Sequence, residues 1–105
     1  MTTAKRFQGP KYCTARVAAA LPLSLQLFIW TLIEQVGSDS ELDYLQVFNL
    51  DTSQDGSGTI QLMVHSQEVP AYSKQYAIPS QTTLKAKVYV IDDGAYSTML
   101  FAEEY

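Results

Sequence analysis

The chain has 105 residues and a mass of 11.7 kDa, with 47% hydrophobic and 17% charged residues and a formal net charge of −4. That length makes one domain, residues 1–105, and the apolar share is enough to exclude a disordered chain. One cysteine excludes a disulfide framework or a zinc site built on several thiolates, and the acidic balance argues against a duplex nucleic-acid binder.

Residues 1–10 are polar, end in Gly9 and Pro10, and read as a flexible N-terminal arm. Lys5, Arg6, Lys11 and Arg16 place four bases in the first sixteen residues with no acid among them, and Phe7 and Tyr12 are interleaved. The ordinary account of such a stretch is a solvated terminus. Lys11 to Val17 alternates, with Cys13, Ala15 and Val17 on one side, and is expected to form a short strand. From Val17 to Ser73 there is no Lys or Arg, whereas Glu34, Asp39, Glu41, Asp43, Asp51, Asp55 and Glu68 are acidic.

Val17 to Ile33 is uncharged and follows basic residues, as a signal peptide or membrane span would. Pro22, Ser24, Gln26 and Thr31 interrupt it. A helix over Pro22–Val36 would be about 22 Å long, short of a hydrocarbon core of roughly 30 Å. No membrane association is expected, and the lone Cys13 fits a cytoplasmic protein.

Pro22 to Val36 is the strongest helix, with proline in the first turn and Gly37 as its stop. Leu25, Ile29, Leu32, Ile33 and Val36 share one face. Leu23, Leu27 and Trp30 form a second apolar flank. One sheet face covers only one side of a helix, so this flank calls for another segment, a second subunit or a partner.

Tyr44–Leu50 and Ile60–His65 read as strands of a hairpin with a long tip, Asp51–Thr59, carrying Asp55-Gly56. In the second of them Ile60, Leu62 and Val64 face one way and Gln61, Met63 and His65 the other. Pro70 to Ser80 reads as a connector. Leu84–Ile91 is a third strand, turned at Asp92-Asp93-Gly94, and Tyr96–Ala102 returns antiparallel or as a short helix. If Ile91 pairs with Tyr96, then Ala86, Val88, Val90, Met99 and Phe101 face the core, while Lys85, Lys87, Tyr89, Tyr96 and Thr98 look outward.

Few residues suggest chemistry. The segment from Ser53 resembles the middle of a calcium loop, but position twelve is Val64 or Leu62, depending on register, and no glutamate closes the site. Gly56-Ser57-Gly58 lacks the Gly-Lys-Ser/Thr of a phosphate loop. His65 is the sole histidine; Ser66 beside it points to the opposite face, so the two cannot form a dyad. Cys13 could reach His65 only through the fold. Asp92 with Asp93, and Glu103 with Glu104, are adjacent pairs whose side chains diverge. Tyr89 and Tyr96 would sit together on the last hairpin as contact residues. No metal or cofactor is expected.

LPLSLQLFIW (Leu21–Trp30), LDYLQVF (Leu42–Phe48), HSQEVP (His65–Pro70), VIDDG (Val90–Gly94), YSTML (Tyr96–Leu100) and AEEY (Ala102–Tyr105) resemble a family of short bacterial proteins, domain of unknown function nine-sixty. The similarity runs from about Tyr12 to the end. It implies a small cytosolic protein and carries over no activity and no catalytic residue.

The expected fold is α+β: a four- to five-stranded, mainly antiparallel sheet with one long amphipathic helix on one face. The expected function is non-catalytic: binding a protein partner or a second copy through Leu23, Leu27 and Trp30 or through the tyrosine face of Tyr89 and Tyr96. One alternative is a small enzyme or ligand binder with His65, Glu68, Asp92, Asp93 or Tyr96 around a pocket. The other is an acidic regulator that mimics nucleic acid.

Overall fold

The computed structural model describes residues 6–105. Within them the elements run β1 (Lys11–Cys13), α1 (Ala15–Ala20), α2 (Leu23–Asp39), β2 (Leu45–Asp55), β3 (Gly58–Gln67), β4 (Tyr72–Pro79), β5 (Ala86–Asp92) and β6 (Ser97–Phe101), closed by a 3-10 turn over Ala102–Glu104. The fold is α+β, with one sheet in the order β1-β6-β5-β2-β3-β4. The sheet has six strands, more than the expected four to five, and its β1–β6 pairing is parallel while the others are antiparallel.

The strand that was not expected is β4 at one edge, and β1 at the other edge is shorter than expected, edges being where alternation is least informative. Tyr72–Pro79, expected as a connector, is β4, paired along its whole length with β3 from Tyr72 against Gln67 to Pro79 against Ile60. As an edge strand it tolerates the lysine and terminal proline that disguised it. The strand expected over Lys11–Val17 ends at Cys13. Thr14 then turns the chain, its hydroxyl accepting from the Val17 amide at 3.2 Å and capping α1.

The helix face predicted for α2 is the buried one: Leu25, Ile29, Leu32, Ile33 and Val36. The helix does not stop at Gly37 but continues to Asp39, where the Ser40 amide donates to Val36 O at 2.9 Å. Gly37 serves a close approach instead. A Cβ there would lie 2.8 Å from Leu42 Cδ1, so the missing side chain lets the following loop fold back on the helix.

The hairpin of β2 and β3 is real, but its tip is only Gly56-Ser57, since pairing persists to Asp55 against Gly58. Asp55 Oδ1 holds the turn by accepting from the Ser57 amide and hydroxyl, at 2.8 and 2.6 Å. In the last hairpin Ile91 pairs with Thr98, not Tyr96. That shift is two residues, so every side chain keeps its face. Val88, Val90, Met99 and Phe101 are accordingly in the core.

Residues 6–10 of the expected arm are anchored; residues 1–5 lie outside the described part. Phe7 is buried in the core and its amide donates to Asp92 Oδ2 at 3.2 Å. Gly9 passes so close to the β5–β6 turn that a Cβ would stand 2.3 Å from Ala95 O. Among the described residues no helix is long and apolar enough to cross a membrane.

Candidate functional site

Both helices lie on the same side of the sheet. Val17 and Leu21 of the first helical stretch and Leu25, Ile29, Leu32 and Ile33 of α2 share one cluster with Phe48, Leu50, Met63, Val88, Val90, Met99 and Phe101. The register assigns the opposite face. Val47 aligns with Tyr89 and Ser66, Asn49 with Val64 and Lys87, Asp51 with Leu62, and Tyr89 with Leu100. Cross-strand partners share a face, so these residues look away from both helices.

The two faces of β3 are inverted relative to the usual rule. Gln61, Met63, His65 and Gln67 are buried beneath the helices, whereas Ile60, Leu62 and Val64 are on the open face and only half-buried. Burying polar groups is costly unless they are bonded, and here the amides are. Gln61 Nε2 donates to Asp51 O, Leu62 O and Leu84 O at 2.8 to 3.0 Å, and its Oε1 accepts from the Leu84 amide at 2.9 Å. It thereby ties the β4–β5 connection to the hairpin.

The second set forms a chain. Gln46 Nε2 donates to Asp43 O and to Gln67 Oε1 at 2.9 and 2.7 Å. Gln67 Nε2 donates to Glu41 O and Pro70 O at 3.0 and 2.8 Å. With its amide hydrogens so used, Gln46 turns its oxygen to His65 Nε2 at 2.7 Å, which must therefore carry the proton. The imidazole stacks on Phe48 (centroids 4.3 Å apart) and meets the edge of Tyr72. His65 Nδ1 is buried with no partner. Burial alone pushes the His65 pKa down to about 4, so the ring is neutral at neutral pH. This cluster braces loops against the sheet; it offers no nucleophile or carboxylate at the ring.

The residues expected to join His65 are not brought to it. Asp92 is four residues beyond Val88, the residue in register with Phe48 and His65, or about 13 Å along the strand. Its carboxylate accepts from the amides of Phe7 and Gly94 and meets Arg6 at 3.9 Å. Asp93 donates its amide to Tyr96 O as part of the turn. Glu68 is exposed in the turn after β3. Cys13 is four strands away from His65, about 19 Å, and its thiol faces Gln26. Two shallow grooves of about 280 and 140 Å³ flank α2, and His65 lines neither. Among the described residues no group of three or more His, Cys, Asp or Glu could hold a metal. The acidic residues also divide. Asp39, Glu41, Asp43 and Glu68 surround the start of β2, while Asp51 and Asp55 lie toward the hairpin tip, so they form no single face.

The contact residues fare differently. Leu23 and Leu27 are 67% and 57% exposed on the outer side of α2, while Trp30 is half-covered, with Lys11 Nζ 5.8 Å over its ring. Tyr89 and Tyr96 both look outward, but not as a pair. Tyr96 meets Tyr12 edge-on at 5.7 Å, and Tyr89 meets Tyr105 at 5.8 Å. These two pairs, with Val47, Leu62, Val64 and Leu100, give the open face an apolar and aromatic part, interleaved with Asn49, Asp51, Ser66 and Lys87 and bordered on β4 by Ser73 and Gln75. Sequence reasoning missed that face. Its signal was present in the Ile60-Leu62-Val64 alternation, which by itself reads as a core-facing set.

A family model described as "Staphylococcal protein of unknown function (DUF960)" matches residues 10–104. No curated protein matches the chain. A crystal structure of a protein of unknown function from Enterococcus faecalis is similar with a TM-score of 0.81 at 23% identity, over 98% of each chain; at that identity the likeness establishes the fold.

Proposed function

We propose that this chain, which belongs to the staphylococcal family of unknown function matched over residues 10–104, works as a non-catalytic interaction module that binds protein through the open face of its sheet. The observation that carries this reading is the inversion of β3: glutamines and a histidine go under the helices, and Ile60, Leu62 and Val64 go to a face no described helix covers. A six-stranded sheet with one uncovered apolar face gains from burying it, at roughly 25 cal/mol per Å² before the costs of association. The two tyrosine pairs add contact area with little side-chain entropy to lose. Leu23 and Leu27 offer a second, smaller patch. The working compartment in this reading is the cytoplasm, where the free, exposed Cys13 stays reduced.

The test is a photo-crosslinking amino acid placed at Val64 on the open face, with Glu34 on the exposed side of α2 as control, in the living host. Protein adducts at position 64 and none at 34 support the module. No adduct at 64 overturns it.

A further inference from the structure

We infer that the occupant of the open sheet face is a second copy of this chain, so that two sheets stack face to face with their helices outward; this rests on the interaction reading above. Area is the first argument. Six strands about 4.8 Å apart, with some three or four outward residues on each long strand, present a footprint on the order of 500–600 Å². That is the scale of the roughly 800 Å² of accessible surface that each partner buries in a standard stable interface.

Charge is the second argument. The chain carries −4, yet the paired registers of β2, β3 and β5 place only Asp51, Asp55 and Lys87 on this face, a net of −1, with Asp55 at the far tip of the hairpin. Two acidic molecules can therefore meet here with little repulsion, while their remaining acids stay in solvent. The face carries Val47, Leu62, Val64, Tyr89 and Leu100, interleaved with Asn49 between Val64 and Lys87 and with Ser66 beside Val47. Side chains of two stacked sheets interdigitate across about 10 Å, which is what alternating branched and aromatic residues can do.

Sedimentation velocity on the purified full chain, from micromolar to near-millimolar concentration, tests the inference. The expected result is a species of twice 11.7 kDa. Val64→Lys should weaken it at least about a hundredfold, because two unpaired ammonium groups would enter a dry interface. Gln35→Lys, at an exposed position of α2, should leave it unchanged. The melting temperature of the unmodified chain should also rise with its concentration, a reading that needs no variant. A monomer at every concentration, with a melting temperature independent of concentration, overturns the dimer. If position 64 still crosslinks to a different protein, the interaction module stands without it. If neither dimer nor crosslink forms, both fall.

Discussion

At the residue scale the fold depends on polar side chains placed where apolar ones are expected. His65 is the sharpest case. Its folded pKa is about 4 against an ordinary 6.5, so the unfolded chain takes up the proton first as pH falls. Above pH 6.5 the ring is neutral in both states and costs nothing. Between about 6.5 and 4 the native state loses about 1.4 kcal/mol per pH unit, or roughly 3 kcal/mol in all. Urea unfolding of the wild type and His65→Phe at pH 7 and pH 4.5 isolates this part, because the carboxylates are common to both. At pH 7 the variant should be weaker by about 1–3 kcal/mol, since Gln46 Oε1 loses its donor. At pH 4.5 most of that deficit should have vanished. A difference that stays constant with pH would show that His65 titrates normally in the fold.

At the element scale the weakest joins are those that hold β1 and α1 to the sheet edge. Three residues of parallel pairing cannot hold a strand alone. The edge is fastened by the Ser97 amide to Pro10 O at 2.9 Å, by the burial of Phe7, and by Gly9 against Ala95. Gly9→Ala would drive a methyl into a backbone carbonyl that cannot rotate away. We expect a loss of about 1–3 kcal/mol, with the Ser97 amide losing its hydrogen-exchange protection before the amides of β2 do. Uniform loss across the sheet would show that the edge and the core unfold as one. Thr14→Ala removes the cap of α1 and a 2.9 Å donation to Glu104 Oε1. It should cost about 1 kcal/mol, measured by chemical denaturation; no change would mean that water replaces the hydroxyl.

These joins also show what was legible and what was not. The helix face of α2 was readable because five apolar residues recur at helical spacing and all five are buried. The faces of β5 and β6 were readable because strand parity survives a register error of two. The edge strands were less so. β1 was expected from its alternation but four residues too long, because three residues do not fix where a period ends, and in β4 Lys74 with Pro79 imitate a loop. Gly37 misled because a glycine near a helix end signals a stop, whereas this one admits Leu42. At the site, the outward tyrosines were legible but their partners were not, since Tyr12 and Tyr105 arrive from distant parts of the chain. The inward turn of Gln61, His65 and Gln67 was hidden for a different reason. Except at His65 Nδ1, their cost is offset by backbone carbonyls and other polar groups from other elements, and periodicity does not report those.

At the scale of the whole molecule, the shape follows from the mismatch between a long hairpin and a short helical layer. The molecule spans 53 Å in its longest direction and only 21 Å in its shortest. The eleven residues of β2 would cover about 36 Å, but the buried ones stop at Leu50. From Asp51 to Thr59 the chain is paired yet mostly exposed, with no helix beneath it. β4 still pairs with β3 as far as Pro79 against Ile60, so only the tip beyond Ser53 is two-stranded; a two-stranded ribbon is marginal in water, and this tip should open on its own while the rest stays folded. Native-state hydrogen exchange should therefore show a gradient along one strand. Amides from Leu45 to Leu50 should exchange only through global unfolding, and those of Gln54 and Asp55 through an opening that is cheaper by several kcal/mol and insensitive to low denaturant. Equal protection from end to end would mean that something covers the ribbon in solution. The face carrying Val47 and Val64 lies over the helix-backed half of the hairpin, so an association there should slow exchange in that half and leave the tip as it was.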